Sequence, residues 1–246
     1  MAALKEDYRV VAMDTRGYNR SDQPAGQEAY QLGNLVQDVA AVIKAEGAER
    51  ATVVGHDWGG LIAWTLAMRQ PELVERLIIV NLPHPRGIMR ELATNPEQRK
   101  NAQYAREFQK PDSHERLNAA LLAGIVTKDP ALRARYQAVF ERSSIEGMMN
   151  YYRQNYAREP YQPAADGDYP KVTVPVLQFH GLADTALHHH GLNNTWEWVG
   201  KDYTLVTIPG VGHWAHHEAA DLVSGTMRSW LAQRRTAPVR VEASEK

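Results

Sequence analysis

The stretch Thr52-Val53-Val54-Gly55-His56-Asp57-Trp58-Gly59-Gly60 sets one carboxylate in a Gly-flanked turn, after a β-branched run and before an apolar helical one. That is the pattern of a nucleophile elbow, with Asp where the commoner motif has Ser. Glycines at 55 and 59 are expected to permit the sharp turn and close packing, which presents Asp57 at a helix N-terminus, where the dipole favours negative charge. Serine needs a base before it can attack, whereas a carboxylate is already ionised at neutral pH. Asp57 can therefore attack a saturated carbon in an epoxide or a carbon–halogen bond and become an alkyl ester. Hydrolysing that ester requires a base for water and N–H donors for the oxyanion, such as the backbone of Trp58.

The base candidate is His213, in Pro209-Gly210-Val211-Gly212-His213-Trp214. The acid that would orient it is Asp184, in His180-Gly181-Leu182-Ala183-Asp184. Taken singly, Asp57 also reads as a helix cap and His213 as a surface-loop histidine. What joins them is placement: each follows an apolar strand-like run, so three loops converge on one carboxyl edge of a parallel sheet.

The elements that must hold these loops are legible in the periodicity. Tyr8–Met13, Ala51–Val54, Leu77–Val80, Val174–Phe179 and Tyr203–Ile208 read as short buried strands. Leu32–Glu46, Leu61–Met68 and Ala219–Ala232 carry helical spacing. Strand alternating with helix argues an α/β core with a parallel sheet covered on both faces. From His84 to Tyr169 the texture becomes helical and rich in Arg, Tyr and Pro, as an inserted helical cap would be. The division expected is core over residues 1–83, cap over 84–169, core again over 170–235 and a loose tail over 236–246.

Together GHDWGG, RGY with a following SDQP, NLPHP, ADTAL and GVGHW resemble the α/β-hydrolase fold family, and within it the soluble epoxide hydrolase branch, over roughly residues 7 to 234. The order nucleophile, acid, histidine is that of α/β-hydrolases. The resemblance implies hydrolysis of an epoxide to a vicinal diol by the triad Asp57, Asp184 and His213. It also implies two lid phenols that hydrogen-bond the epoxide oxygen, at Tyr104 and Tyr152, with Tyr151 the neighbouring alternative. A phenol, with a pKa near 10, stays protonated until an alkoxide forms. These tyrosines can instead simply pack cap helices. Trp58, His56 and Trp214 are expected to wall the pocket or help at the oxyanion. In haloalkane dehalogenases the Trp after the nucleophile donates its indole N–H to the departing halide, so a haloalkane or haloacid dehalogenase is the alternative enzyme. In the resembling families a His-Gly-x-Pro loop supplies a second oxyanion donor. This sequence has no such segment, and the first three strands of the usual fold are expected to be absent. An inactive, ligand-binding relative is the non-enzymatic alternative. Tyr8–Met13 is expected to lie across a vacancy, about two strand spacings from Ala51–Val54, rather than directly beside it.

The remaining composition narrows the partners. Lys and Arg total 28 against 29 Asp and Glu in 246 residues, so no strong field attracts nucleic acid or an anionic membrane. There is no cysteine, which removes disulfides, thiolate catalysis and Cys-based metal sites. No run approaches the roughly 18 apolar residues of a membrane span. The expectation is a cytoplasmic hydrolase acting on a small apolar molecule and water without a cofactor, with assembly into homo-oligomers left open. His188-His189-His190 and His216-His217 are expected in solvated loops without a metal, since adjacent residues seldom converge on one ion. Arg16 is expected to pack or pair beneath the loop after the first apolar run.

Overall fold

The computed structural model describes residues 3–165 and 167–234. Four strands, β1 (Ala51–His56), β2 (Val74–Val80), β3 (Val176–Gly181) and β4 (Tyr203–Ile208), form one sheet in the order β1-β2-β3-β4. Every pairing is parallel, with Val53 beside Leu77, Leu77 beside Val176 and Val176 beside Tyr203. The inner strands carry the near-continuous apolar runs that a sheet covered on both faces requires. β3 begins at Val176 rather than Val174 because Pro175 has no N–H to give the ladder, although its carbonyl accepts from Leu77.

Alternate residues of the inner strands feed two cores. Leu77 and Ile79 pack with Trp64, Leu66 and Ala67 of α2 (Trp58–Arg69) and Leu35, Val36 and Ile43 of α1 (Leu32–Ala45). Ile78, Val80, Leu177 and Phe179 face the other way. Each large side chain fully withdrawn from water contributes about 1.5–3 kcal/mol, so these contacts fix the strand ends that carry the chemistry.

Between β2 and β3 lie six α-helices among the described residues: α3 (Pro85–Thr94), α4 (Pro96–Asn101), α5 (Gln103–Phe108), α6 (Ala119–Val126), α7 (Pro130–Phe140) and α8 (Ile145–Asn155). Their starts are written locally. Proline opens α3, α4 and α7, where its missing N–H costs nothing, and the side chains of Asn95, Asn118, Asp129 and Ser144 accept from first-turn N–H groups. After β4 come α9 (Ala215–Glu218) and α10 (Ala220–Ala232), and α10 covers the second face with Val223, Met227, Trp230 and Leu231. The tail expected at 236–246 lies outside the described residues.

One expected strand is not a strand. Tyr8–Met13 forms no ladder with β1, as expected, but it is irregular throughout, and Val11 is 49% exposed. An extended run becomes a strand only when a neighbour offers its backbone groups in register. Among the described residues β1 pairs on one side only, with β2, and its Val54 is 51% exposed.

Candidate active site

Each strand ends at a residue of the site. Asp57 follows β1 directly, Asn81 follows β2 directly, Asp184 lies three residues beyond β3, and His213 lies five beyond β4. Four neighbouring strands thus deliver four polar side chains to one edge of the sheet. Asp57 adopts φ 50 and ψ −122, a left-handed conformation costly for a residue with a Cβ and characteristic of functional turns. Gly55 makes that turn physically possible: a Cβ there would stand 2.2 Å from the carbonyl oxygen of Gly59. The expectation for Gly59 fails, since a Cβ there meets nothing within 4 Å. The second close approach belongs to Gly60, whose Cβ would press on Leu82 at 3.0 Å.

Asp57, His213 and Asp184 stand in line. The Nε2 of His213 is 3.3 Å from Asp57 Oδ2, and its Nδ1 is 2.9 Å from Asp184 Oδ2. Asp184 is 1% exposed at its side chain, and its Oδ1 accepts from the backbone N–H groups of Ala186 and Leu187 at 2.8 and 3.0 Å. The loop bearing it is zipped to the histidine loop by Leu182 N–H to Ile208 O and Ala183 N–H to Val211 O. Burial works against a charge on His213, but the hydrogen bonds and negative charges of Asp184 and Asp57 outweigh it and raise the imidazole to about 10. Burial likewise opposes both carboxylates, and His213 outweighs it and holds each below its usual range. The N–H of Trp58 adds to the stabilisation of Asp57.

Asp57 opens on a cavity of about 140 Å³, lined also by Trp58, Tyr104, Tyr152 and Tyr156 and walled by aliphatic side chains such as Leu61, Ile88 and Leu187. The rings of Tyr104 and Tyr152 lie 6.0 Å apart, and Tyr152 meets Trp58 edge-on at 5.0 Å. Burial, reinforced by neighbouring negative charge, raises both phenols and keeps them protonated. Tyr151, one residue away, packs into the core, and its hydroxyl donates a hydrogen bond to the Arg16 carbonyl at 2.7 Å. Arg16 pairs bidentately with Asp38 of α1, through 2.9 and 2.7 Å contacts, as its expected place below the loop required.

His56 and Trp214 do not wall this cavity, contrary to expectation. His56 lies behind the triad, its ring 4.8 Å from those of His213 and Trp214 and 4.4 Å from that of His216, with its Nε2 bonded to the His213 carbonyl at 2.9 Å. Strand side chains alternate between faces, and His56, in register with Val80, falls on the side of the second core, which is why a neighbour of Asp57 misses the pocket. Burial, aided by His213, lowers it to about 4. Of the other histidines, His189 and His190 are exposed as expected, whereas His188, His216 and His217 are not. His216 and His217 belong to α9, and His217 Nε2 meets the Tyr136 hydroxyl at 2.7 Å. His188 is buried and caps a 3-10 turn, whose tight winding gathers the ring nitrogens of His188, His189 and His190 within 4.8 Å. Its Nδ1 accepts from His190 N–H at 3.3 Å, and its Nε2 stands 3.2 Å from Glu97 Oε2.

Asn81 was not singled out from the sequence, yet it touches the loops of both Asp184 and His213. Its Nδ2 donates to Asp184 Oδ2 at 3.0 Å and to Gly212 O at 3.1 Å. A polar residue directly after a buried strand was the available signal.

A four-stranded parallel sheet with helices on both faces, an elbow at Asp57 and an acid–histidine pair on adjoining loops define a hydrolase of the α/β type. A family model described as alpha/beta hydrolase fold matches residues 1–220, and the chain belongs to that family, among its epoxide hydrolase members. It is 31% identical to epoxide hydrolase 4 of Mus musculus over 94% of this chain and 67% of that protein. It is 31% identical to an AB hydrolase superfamily protein of Bacillus subtilis over 91% of this chain and 80% of that protein. Among solved structures, a Bacillus megaterium epoxide hydrolase in complex with an inhibitor superposes with a TM-score of 0.81 at 32% identity, over 94% of this chain and 86% of that one.

Proposed function

We propose that this chain hydrolyses an apolar epoxide to a vicinal diol through an ester on Asp57. The observation that carries the reading is one cavity lined by a nucleophilic carboxylate and two protonated phenols, with a histidine 3.3 Å behind the carboxylate. In the first half-reaction an Asp57 oxygen attacks an epoxide carbon and the ring C–O bond breaks. The oxygen so released takes a proton from Tyr104 or Tyr152. In the second, His213 removes a proton from water, which attacks the ester carbonyl while the Trp58 N–H steadies the oxyanion. The acyl C–O bond breaks, the departing diol oxygen takes the proton from His213, and the proton left on the reformed Asp57 carboxyl passes to His213, which restores the resting carboxylate and imidazolium.

The electrostatics suit this order. In the resting site two carboxylates hold the proton on His213, raised to about 10. Alkylation of Asp57 cancels one of those charges, which lowers the imidazole and frees it as a base when a base is needed. The proton it releases balances the one the phenol gave. In this reading residues 84–169 are the cap that brings the phenols over the core, 1–83 with 170–235. The chain works on a small neutral molecule and water in the cytoplasm. Among the described residues no helix is long and apolar enough to cross a membrane.

The test is His213→Gln. Incubated with a small aryl or alkyl epoxide, the variant accumulates a protein heavier by one substrate, and the mass is localised to the Asp57 peptide. No adduct under single-turnover conditions overturns the covalent mechanism.

A further inference from the structure

We propose that Asn81 is a positioning residue for the hydrolytic half-reaction, its side-chain amide holding the acid loop and the histidine loop at a fixed spacing. The inference rests on the reading that His213 and Asp184 hydrolyse an Asp57 ester.

Asn81 stands directly after β2, at the strand end next to that of Asp57, and is 0% exposed. One nitrogen does two things there. It donates at 3.0 Å to Asp184 Oδ2, the same oxygen that accepts from His213 Nδ1 at 2.9 Å, and at 3.1 Å to the carbonyl of Gly212, the residue before His213. The amide orientation is chemically forced, since both neighbours are acceptors and a flipped amide would set its oxygen against a carboxylate and a carbonyl. Oδ1, on the far side, is buried without a partner. With Ala186 and Leu187 on Oδ1 of Asp184 and Asn81 and His213 on Oδ2, the acid can aim at the imidazole in one way only.

Asn81 also has φ 45, one of four left-handed non-glycine residues in the described chain, as Asp57 is. A strained backbone and an unsatisfied buried carbonyl are two costs at one position, and such costs persist where a geometry is needed for function.

The division of labour makes the role testable. Ester formation uses Asp57 and the phenols, whereas ester hydrolysis uses the aimed His213. Glycine adopts this φ without strain, so Asn81→Gly removes the amide and keeps the turn. In single-turnover experiments the variant should form the Asp57 ester at the parent rate and hydrolyse it about tenfold or more slowly, the scale seen when an outer partner of a functional group is lost. The adduct should then be visible at steady state. Asn81→Asp preserves shape and turn while setting a carboxyl against Asp184 and the Gly212 carbonyl, and the other titratable groups that act on this cluster are His213 with Asp57, His56, His180 and Tyr104. Two carboxyls so close share a proton. While that proton is present the new acid donates as the amide does, so hydrolysis by Asn81→Asp should hold at low pH and fall with rising pH more steeply than in the parent.

Equal slowing of both half-reactions, or unchanged hydrolysis, in a folded Asn81→Gly overturns the proposal. So does a parent-like pH profile in Asn81→Asp, which carries the test if the glycine variant does not fold. His213→Gln separates the two levels. If it traps no ester, the functional reading fails. If it traps one and Asn81→Gly hydrolyses normally, only the role of Asn81 fails.

Discussion

Tyr151 and Tyr152 are adjacent on α8 and point to different places: the Tyr151 hydroxyl donates a hydrogen bond to the Arg16 carbonyl at 2.7 Å inside the core, and Tyr152 lines the cavity with Asp57. Tyr152→Phe combined with Tyr104→Phe should therefore slow ester formation from an epoxide by about 10² or more, the usual share of general acid catalysis. Tyr151→Phe should leave ester formation near the parent rate and lower stability by about 1 kcal/mol, one net buried hydrogen bond. Stopped-flow tryptophan fluorescence and urea unfolding read the two effects.

The same double variant separates epoxide opening from dehalogenation. A halide leaves without a proton, so phenols are not needed for it, and a dehalogenase would keep its halide release. Comparing diol and halide formation from matched substrates decides the reading, and unimpaired epoxide turnover in the double variant would count against the phenols as acids.

At the elbow, Gly55→Ala and Gly59→Ala should behave as opposites. A methyl at 55 meets backbone at 2.2 Å, which cannot give way cheaply, so a loss of about 1–3 kcal/mol or failure to fold is expected. A methyl at 59 meets nothing in the first turn of α2 and should cost nothing or stabilise by about 0.4–1 kcal/mol. Thermal unfolding of both variants checks the contrast.

The triad should also mark the pH dependence of stability. His213 rises from 6.5 unfolded to about 10 folded, so its proton stabilises the fold fully below about 6.5, and that contribution is lost as pH climbs through about 10. The lowered Asp57 and Asp184 act in the other direction, contributing above their unfolded value of 3.8 and fading as pH falls below it. The difference in Tm between the parent and His213→Gln should be largest near pH 5–6 and shrink toward pH 10. A difference constant across that range would contradict the charge on His213.

What the sequence determined by itself is the candidate site, Asp57 with Asp184 and His213, and the sheet that carries it. Asp57, Asp184 and His213 each follow an apolar run and sit among glycines, and those signals are local: a strand that must be buried and a turn that cannot bear a Cβ. Which residues meet across the fold was decided only in three dimensions. Asn81 reaches Asp184 over 103 positions of chain and Gly212 over 131, and no local pattern encodes that contact. Tyr152 rather than Tyr151 faces Asp57 because α8 rests on α1 and Tyr30, which sets its rotation. His56 and Trp214 turn away from the cavity because the aromatic stack behind His213 claims them. Tyr8–Met13 has the composition of a strand and is not one, because a strand is completed by hydrogen bonds to a neighbour, and composition cannot supply the neighbour.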